Sequence, residues 1–292
     1  MGTTVQRYHT IDALKVLLTV GIVFRHSELL GQLGRSAAFD AFDGGMMALT
    51  DLCVPLFYVL SGFLYFRNAP SRPDVRFFGR KLRSRFHSLL LPYLIANAIA
   101  FGVYWAAYRW APQWMDGFFG GNWKNPLFIF WSGPVNLSLW FIRDLFIAVL
   151  MAPVLWLIVR YTRFWGVLAV WIAGRFIPTG PWLNVYFMLG AWLALWKSSW
   201  MVAADTFCGR CRIRPLSASW QAWSFFIYLY HYLCTLVLKK VLPLWLAPEG
   251  FWDLLGTYLL VAGLTLALLT ALYTLLKKMS PVLLNILAGG KL

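Results

Sequence analysis

The chain has 292 residues, of which 60% are hydrophobic and 18% aromatic, but only 13% are charged, and its mean hydropathy is +0.65. A soluble domain carries about 25% charged residues, so this composition excludes a soluble globular protein. The net charge of +15 does not point to nucleic acid, because no solvated basic domain is present to carry such binding. Basic residues gather instead on cytoplasmic loops that face anionic lipid.

The expected fold is all-α: one polytopic transmembrane helix bundle over residues 1–292, with no soluble extra domain. About eight spans follow from roughly 20 apolar residues per crossing. They lie near 11–30, 46–66, 86–108, 137–159, 164–177, 182–198, 219–242 and 253–276. The fifth ends at Arg175 and is short. With the N-terminus and the loops 67–85, 160–163, 197–218 and 277–292 on the cytoplasmic side, about 18 of the 26 Lys and Arg residues fall inside, as the positive-inside rule requires. Both termini are then cytoplasmic. The first apolar run carries Lys15, Arg25, His26 and Glu28, which is wrong for the core of a cleavable signal peptide.

In the first span, Lys15 and His26 are eleven residues apart. They share a helix face at a separation of about 16 Å. Asp12, three residues before Lys15, is placed to pair with it. An ionisable residue inside a membrane span marks function by default, and imidazole suits proton transfer near neutral pH. The plainer reading of His26 is a hydrogen bond between helices. In the second span, Pro55 is placed to kink the helix, and Ser61-Gly62 permits close helix approach.

The third span is entered through a basic run. Arg76, Arg80 and Arg83 fall on one face, and Lys81 and Arg85 form a second row. Such a run either meets lipid headgroups or grips the phosphates of a cytoplasmic ligand, for which the guanidinium fork is suited. The outer loop from Arg109 to Asn136 is rich in Trp and Phe, either as an interfacial belt or as a lid or sugar platform.

The fourth span opens with Trp140, Arg143 and Asp144. They form either an interface anchor with a local ion pair or a polar wall near His26. The seventh carries Ser224, Tyr228 and His231 at i, i+4 and i+7, a polar stripe that faces the protein interior. Cys53 and Cys234 read as small apolar residues. Cys208 and Cys211 have metal-like spacing but lack a second ligand pair, so no metal site is expected.

Six motifs in order resemble the acyltransferase-3 family. They are Arg7 with Asp12-Ala-Leu-Lys15 and His26, then Val54 to Phe63, then Arg80 to Arg83 with Leu91-Pro-Tyr93. Leu139-Trp-Phe141, Tyr186 to Gly190 and Ser224 to His231 complete the set. These are integral membrane O-acyltransferases that modify extracytoplasmic glycans. Members usually have about ten spans and a basic residue, often Arg, where Lys15 stands. The stretch 199–218 is too short for the missing pair of spans.

The resemblance implies transfer of an acetyl or other acyl group from cytoplasmic acyl-CoA to a glycan hydroxyl, at a bacterial inner membrane. His26 is the expected general base. Lys15, Arg80, Arg83 and Arg85 are expected to hold the donor. Ser61, Trp140, Arg143, Asp144, Tyr228 and His231 are candidates for the acceptor site or for stabilising the oxyanion. Direct transfer and an acyl-His26 intermediate both fit these residues. The competing reading is a glycan or lipid transporter, because buried ionisable residues also mark substrate pathways. A non-catalytic scaffold is the third reading. Acceptor identity, acyl length, oligomeric state and any partner protein are not legible in the residues.

Overall fold

The computed structural model describes residues 9–29, 36–110, 135–174, 176, 184–210 and 218–290. Helix α1 spans His9–His26, α2 Ala37–Thr50 and α3 Cys53–Phe66. Helix α4 (Val75–Arg85) runs through a π-helical turn (Phe86–Leu90) into α5 (Leu91–Trp110). A 3-10 turn (Leu137–Leu139) leads into α6 (Trp140–Leu150), then α7 (Ala152–Thr162) and α8 (Phe164–Ala173). Helices α9 (Asn184–Trp196), α10 (Ser198–Arg210), α11 (Ala218–Leu246), α12 (Gly250–Met279) and α13 (Pro281–Leu287) complete the bundle. No strand occurs among the described residues.

Among the described residues, four helical stretches are long and apolar enough to cross a membrane: Ala37–Phe66, Val75–Trp110, Ser219–Leu246 and Gly250–Met279. The pair Leu137–Leu150 and Ala152–Thr162 makes a fifth if its 66° bend is counted within one span. Each of the eight expected segments contains a helix, but three fall short of a clean crossing. Helix α1 carries Asp12, Lys15 and Arg25 within 18 residues. Helices α8 and α9 have 10 and 13 residues, about 15 and 20 Å against a hydrocarbon core of about 30 Å. The chain is therefore a polytopic membrane bundle in which the charged first helix is sheltered by others.

The connections are more helical than expected. The basic stretch within 67–85 forms α4, started by Asp74, whose Oδ1 accepts the Phe77 N–H at 2.7 Å as an N-cap residue does. The stretch 197–218 contains α10, and 277–292 contains α13. From α10, Asp205 Oδ1 accepts both the Thr10 N–H and the Thr10 hydroxyl at 2.9 Å. It thus satisfies donors that the first turn of α1 leaves open.

Pro92 explains the π-helical turn. It offers no N–H and crowds the carbonyl four residues back, that of Ser88. The helix widens there, and the Leu91 N–H reaches Phe86 O, five residues back. Gly289, at φ +70°, sits against the released carbonyl: a Cβ there would lie 2.5 Å from Ser88 O.

Helices α3 and α9 cross at two glycines. A Cβ on Gly62 would collide with the Phe187 carbonyl oxygen, and one on Gly190 with that of Val59. Lipid tails are as apolar as side chains, so this van der Waals contact does the work that burial from water does elsewhere. A polar network fixes the start of α6. The Asn136 N–H donates to Asn97 Oδ1 at 3.3 Å, Asn136 Nδ2 to Leu229 O at 3.0 Å, and the Ser138 hydroxyl to Asn136 Oδ1 at 2.9 Å.

Helices α1 and α11 run parallel. Gln221 reaches Asp12 at one end, and His231 packs on His26 towards the other. Helix α12 returns antiparallel, with Tyr273 bonded to Ser219 O and Tyr258 to Phe24 O.

Substituting Gly62→Ala forces two backbones apart and is expected to destabilise the bundle by about 1–3 kcal/mol, the usual range for overpacking. Thermal unfolding in detergent reads this directly. Gly79→Ala, where an added Cβ meets nothing within 4 Å, is the matched control and is expected to leave the midpoint unchanged or slightly raised.

Candidate active site

A cavity of about 690 Å³ opens among α1, α3, α4 with its π-helical turn, α6, α9 and α11, and Gly289 and Gly290 contribute to its wall. One region is cationic, with Lys15, Arg67, Lys81 and Arg85 all in the lining. Asp12 is the single acidic lining residue; its Oδ1 accepts from Gln221 Nε2 at 2.6 Å and lies 4.0 Å from Lys15 Nζ. The Lys81 ammonium sits 5.5 Å from the Tyr65 ring centroid, a cation–π distance. Further along α11 and α3 the wall becomes mixed, with Ser61, Thr19 and Ser224 beside Phe57, Phe141 and Leu145. The Ser88 hydroxyl, within the π-helical turn, is buried without a protein partner, and Ser88 also lines the cavity.

Tyr228 lines the cavity as well. Its ring centroid is 5.6 Å from that of Phe141 and 6.2 Å from that of Phe57. Its hydroxyl donates to Ser138 O at 2.6 Å. One turn further along α11 stands His231, 5.9 Å from Tyr228 between ring centroids. Next to it, at the end of α1, is His26, with the two imidazole centroids 5.2 Å apart. Tyr232 meets His26 edge-on, also at 5.2 Å. Neither histidine is part of the cavity wall. Phe57, Phe141 and Tyr228 all line the cavity, and Tyr228 is the one in ring contact with His231.

His231 is fully buried. Its Nδ1 lies 2.8 Å from the Tyr228 carbonyl oxygen. A carbonyl only accepts, so Nδ1 carries the proton, and Nε2 has no hydrogen-bond partner. The end of α1 beside His26 is ringed by ions. Arg25 bonds Asp51 at 2.8 Å and Glu28 at 3.4 Å, and Glu28 also accepts from Lys239 at 3.4 Å.

The residues singled out from the sequence therefore divide. Lys15, Arg85, Ser61 and Tyr228 line the cavity, while His26 and His231 stand together beyond it. Arg80 and Arg83 are exposed and lie off the cavity wall. Arg143 bonds Asp144 at 2.8 Å, and Trp140 packs half-buried against the core; none of the three lines the cavity.

Sequence reasoning gave Arg67, Ser88 and Gln221 no role, and placed Lys81 only in the second row of the basic run. The signal for Ser88 was Pro92, four residues on. For Lys81 and Arg85 it was their i, i+4 spacing, which sets them on a different face from Arg80. Arg7, Cys211 and residues 111–134 of the aromatic loop lie outside the described residues. Among the described residues no group of three His, Cys, Asp or Glu side chains is gathered as a metal would need.

Removing the Tyr228 hydroxyl deletes its buried bond to the Ser138 carbonyl. Tyr228→Phe is expected to lower stability by about 1–3 kcal/mol, read as a drop in the thermal midpoint with the protein still inserted in membrane.

Comparison with known proteins gives one family. The family model described as an acyltransferase domain, type 3, matches residues 8–203. The succinoglycan biosynthesis protein ExoH of Rhizobium meliloti (strain 1021) is 32% identical over 167 residues, which are 52% of this chain and 44% of that protein. The similarity thus spans less than half of the relative's length. No solved structure matches.

Proposed function

The chain belongs to the acyltransferase-3 family, and on that premise we propose that it is an integral membrane O-acyltransferase acting on an extracytoplasmic polysaccharide. The donor is acetyl-CoA or another acyl-CoA, and the acceptor group is a sugar hydroxyl. The polysaccharide class follows the succinoglycan biosynthesis relative. The observation that carries the reading is the cationic cavity that follows α1 and α11 towards a histidine pair on the same two helices.

In this proposal the cationic end faces the cytoplasm of a bacterial inner membrane, and both termini lie on that side, in line with the positive-inside rule. CoA is polyanionic. Lys15, Arg67, Lys81 and Arg85 grip its phosphates as charge-assisted donors, and the Ser88 hydroxyl is placed for a further hydrogen bond. Arg80 and Arg83, exposed on the adjoining face, meet anionic headgroups instead. The slender pantetheine arm runs along the Ser61 wall, and the thioester passes the aromatic cluster to reach His26.

His26 acts as general base. One ring nitrogen takes the proton from the acceptor hydroxyl as its oxygen attacks the thioester carbonyl carbon. The tetrahedral oxyanion needs a donor, and the Ser61 hydroxyl in the cavity wall is the candidate. Collapse breaks the carbon–sulfur bond, the thiolate takes the proton back from His26, and CoA leaves as the free thiol.

The test is release of CoA from acetyl-CoA by protein in nanodiscs. His26→Ala is expected to abolish release while leaving donor binding intact. A transporter with no acyl chemistry would release none in either protein, and wild-type release by His26→Ala would remove the base assignment.

The phosphate grip has its own measurement. Arg85→Ala is expected to weaken acetyl-CoA affinity about 10- to 100-fold, the equivalent of one charge-assisted hydrogen bond. Arg80→Ala and Arg83→Ala are expected to leave that affinity within about twofold. Equal effects at all three positions would put the donor elsewhere.

A further inference from the structure

His231 is buried on every side, yet half of its hydrogen-bonding capacity is unused. Nδ1–H is committed to the Tyr228 carbonyl at 2.8 Å, and this fixes the tautomer. Nε2 is therefore a lone-pair acceptor, and it has no partner. An orphaned polar atom at such depth requires an explanation. The nearest ring able to donate is His26, with centroids 5.2 Å apart and planes inclined by 40°. Two imidazoles joined by an N–H···N bond of about 2.9 Å have centroids about 5 Å apart. The centroid separation matches that of such a bond.

Resting on the acyltransferase reading above, we propose that His231 is a positioning residue for His26, its Nε2 accepting the His26 N–H when the acceptor is bound. The bond fixes which nitrogen of His26 holds its proton, so the other nitrogen presents a lone pair to the sugar hydroxyl. When that nitrogen takes the hydroxyl proton, His26 becomes an imidazolium, and the hydrogen bond to Nε2 becomes charge-assisted and stronger. His231 itself gains and loses no proton. The chain of carbonyl, His231 and His26 orients a base in the way that a second group orients a catalytic histidine elsewhere.

Two substitutions separate this role from simple packing. His231→Asn places an amide N–H near the position of Nδ1 and keeps the bond to the Tyr228 carbonyl, but nothing occupies the place of Nε2. His231→Gln reaches the position of Nε2 with an amide oxygen and restores an acceptor for His26.

In the CoA-release assay, His231→Asn is expected to lower kcat about 100-fold with the acetyl-CoA KM within about twofold of wild type. His231→Gln is expected to recover kcat to within about tenfold of wild type. Equal loss in the two variants, or a better Asn variant than Gln variant, would assign His231 to the structural bond with Tyr228 and overturn the proposal. Full turnover by His231→Asn beside a dead His26→Ala would overturn the positioning role alone. Full turnover by His26→Ala would overturn the reading on which it rests.

Discussion

A membrane interior offers no water, so every charge on a spanning helix must find its partner inside the protein. Helix α1 carries charge at both of its ends, and the surrounding helices are arranged to meet it. At one end Asp12 is held by Gln221 of α11, and the first turn is held by Asp205 of α10. At the other end Arg25 lies against Asp51, and Glu28 lies between Arg25 and Lys239 of α11. Asp12 and Lys239 are the most buried of these charged groups, and Asp51 is exposed, so the cost of losing a partner is greatest at Asp12 and Lys239. Helices α10 and α11 and the α2–α3 junction are therefore tied to α1 by charge, whereas α3 and α9 are tied to each other by backbone contact at Gly62 and Gly190.

The same constraint explains how much could be read from the sequence. The polytopic all-helical class, the charged first helix with Lys15 and His26 along it, and the close approach at Gly62 were legible, because each rests on local composition or helical spacing. The number of clean crossings was not. Helices α8 and α9 are apolar enough to suggest spans but stop at 10 and 13 residues, and segment ends depend on tertiary contacts. The helicity of α10 was hidden by its polar composition; its Asp205 is needed at Thr10, a contact 195 residues away in sequence. The basic run gave two rows of cations, but spacing alone does not say which row turns inward. That choice is made by the anchoring of α4, through the Asp74 cap and the π-helical turn that Pro92 imposes. Lys81 and Arg85 turn in, while Arg80 and Arg83 turn out.

The C-terminal segment enters through the same local event. Pro92 displaces the Ser88 carbonyl from the helical ladder, and the Ser88 hydroxyl beside it lies in the cavity wall. Gly289, which is free to adopt φ +70°, brings the backbone beside that carbonyl. Leu284 and Ala288 are buried as α13 packs down. Residues beyond the stretch matched by the family thus complete a cavity whose other walls lie mainly within it.

The separation between cavity and histidine pair is the feature with the greatest mechanistic weight. Lys15 and His26 stand about 16 Å apart along α1, and the open volume does not cover that whole distance. Tyr228 stands at its end, bonded through its hydroxyl to Ser138 and packed against Phe141 and Phe57. This gives the proposed reaction a built-in safeguard. In that proposal, a thioester held at the cationic end is kept from the base by the aromatic side chains, which would limit futile hydrolysis. Tyr228 is also joined to His231 through its carbonyl, one helical turn from the ring that closes the cavity. Tyr228 thus contributes its ring to the cavity wall and its carbonyl to the His231 bond, so one residue joins the two parts of the site.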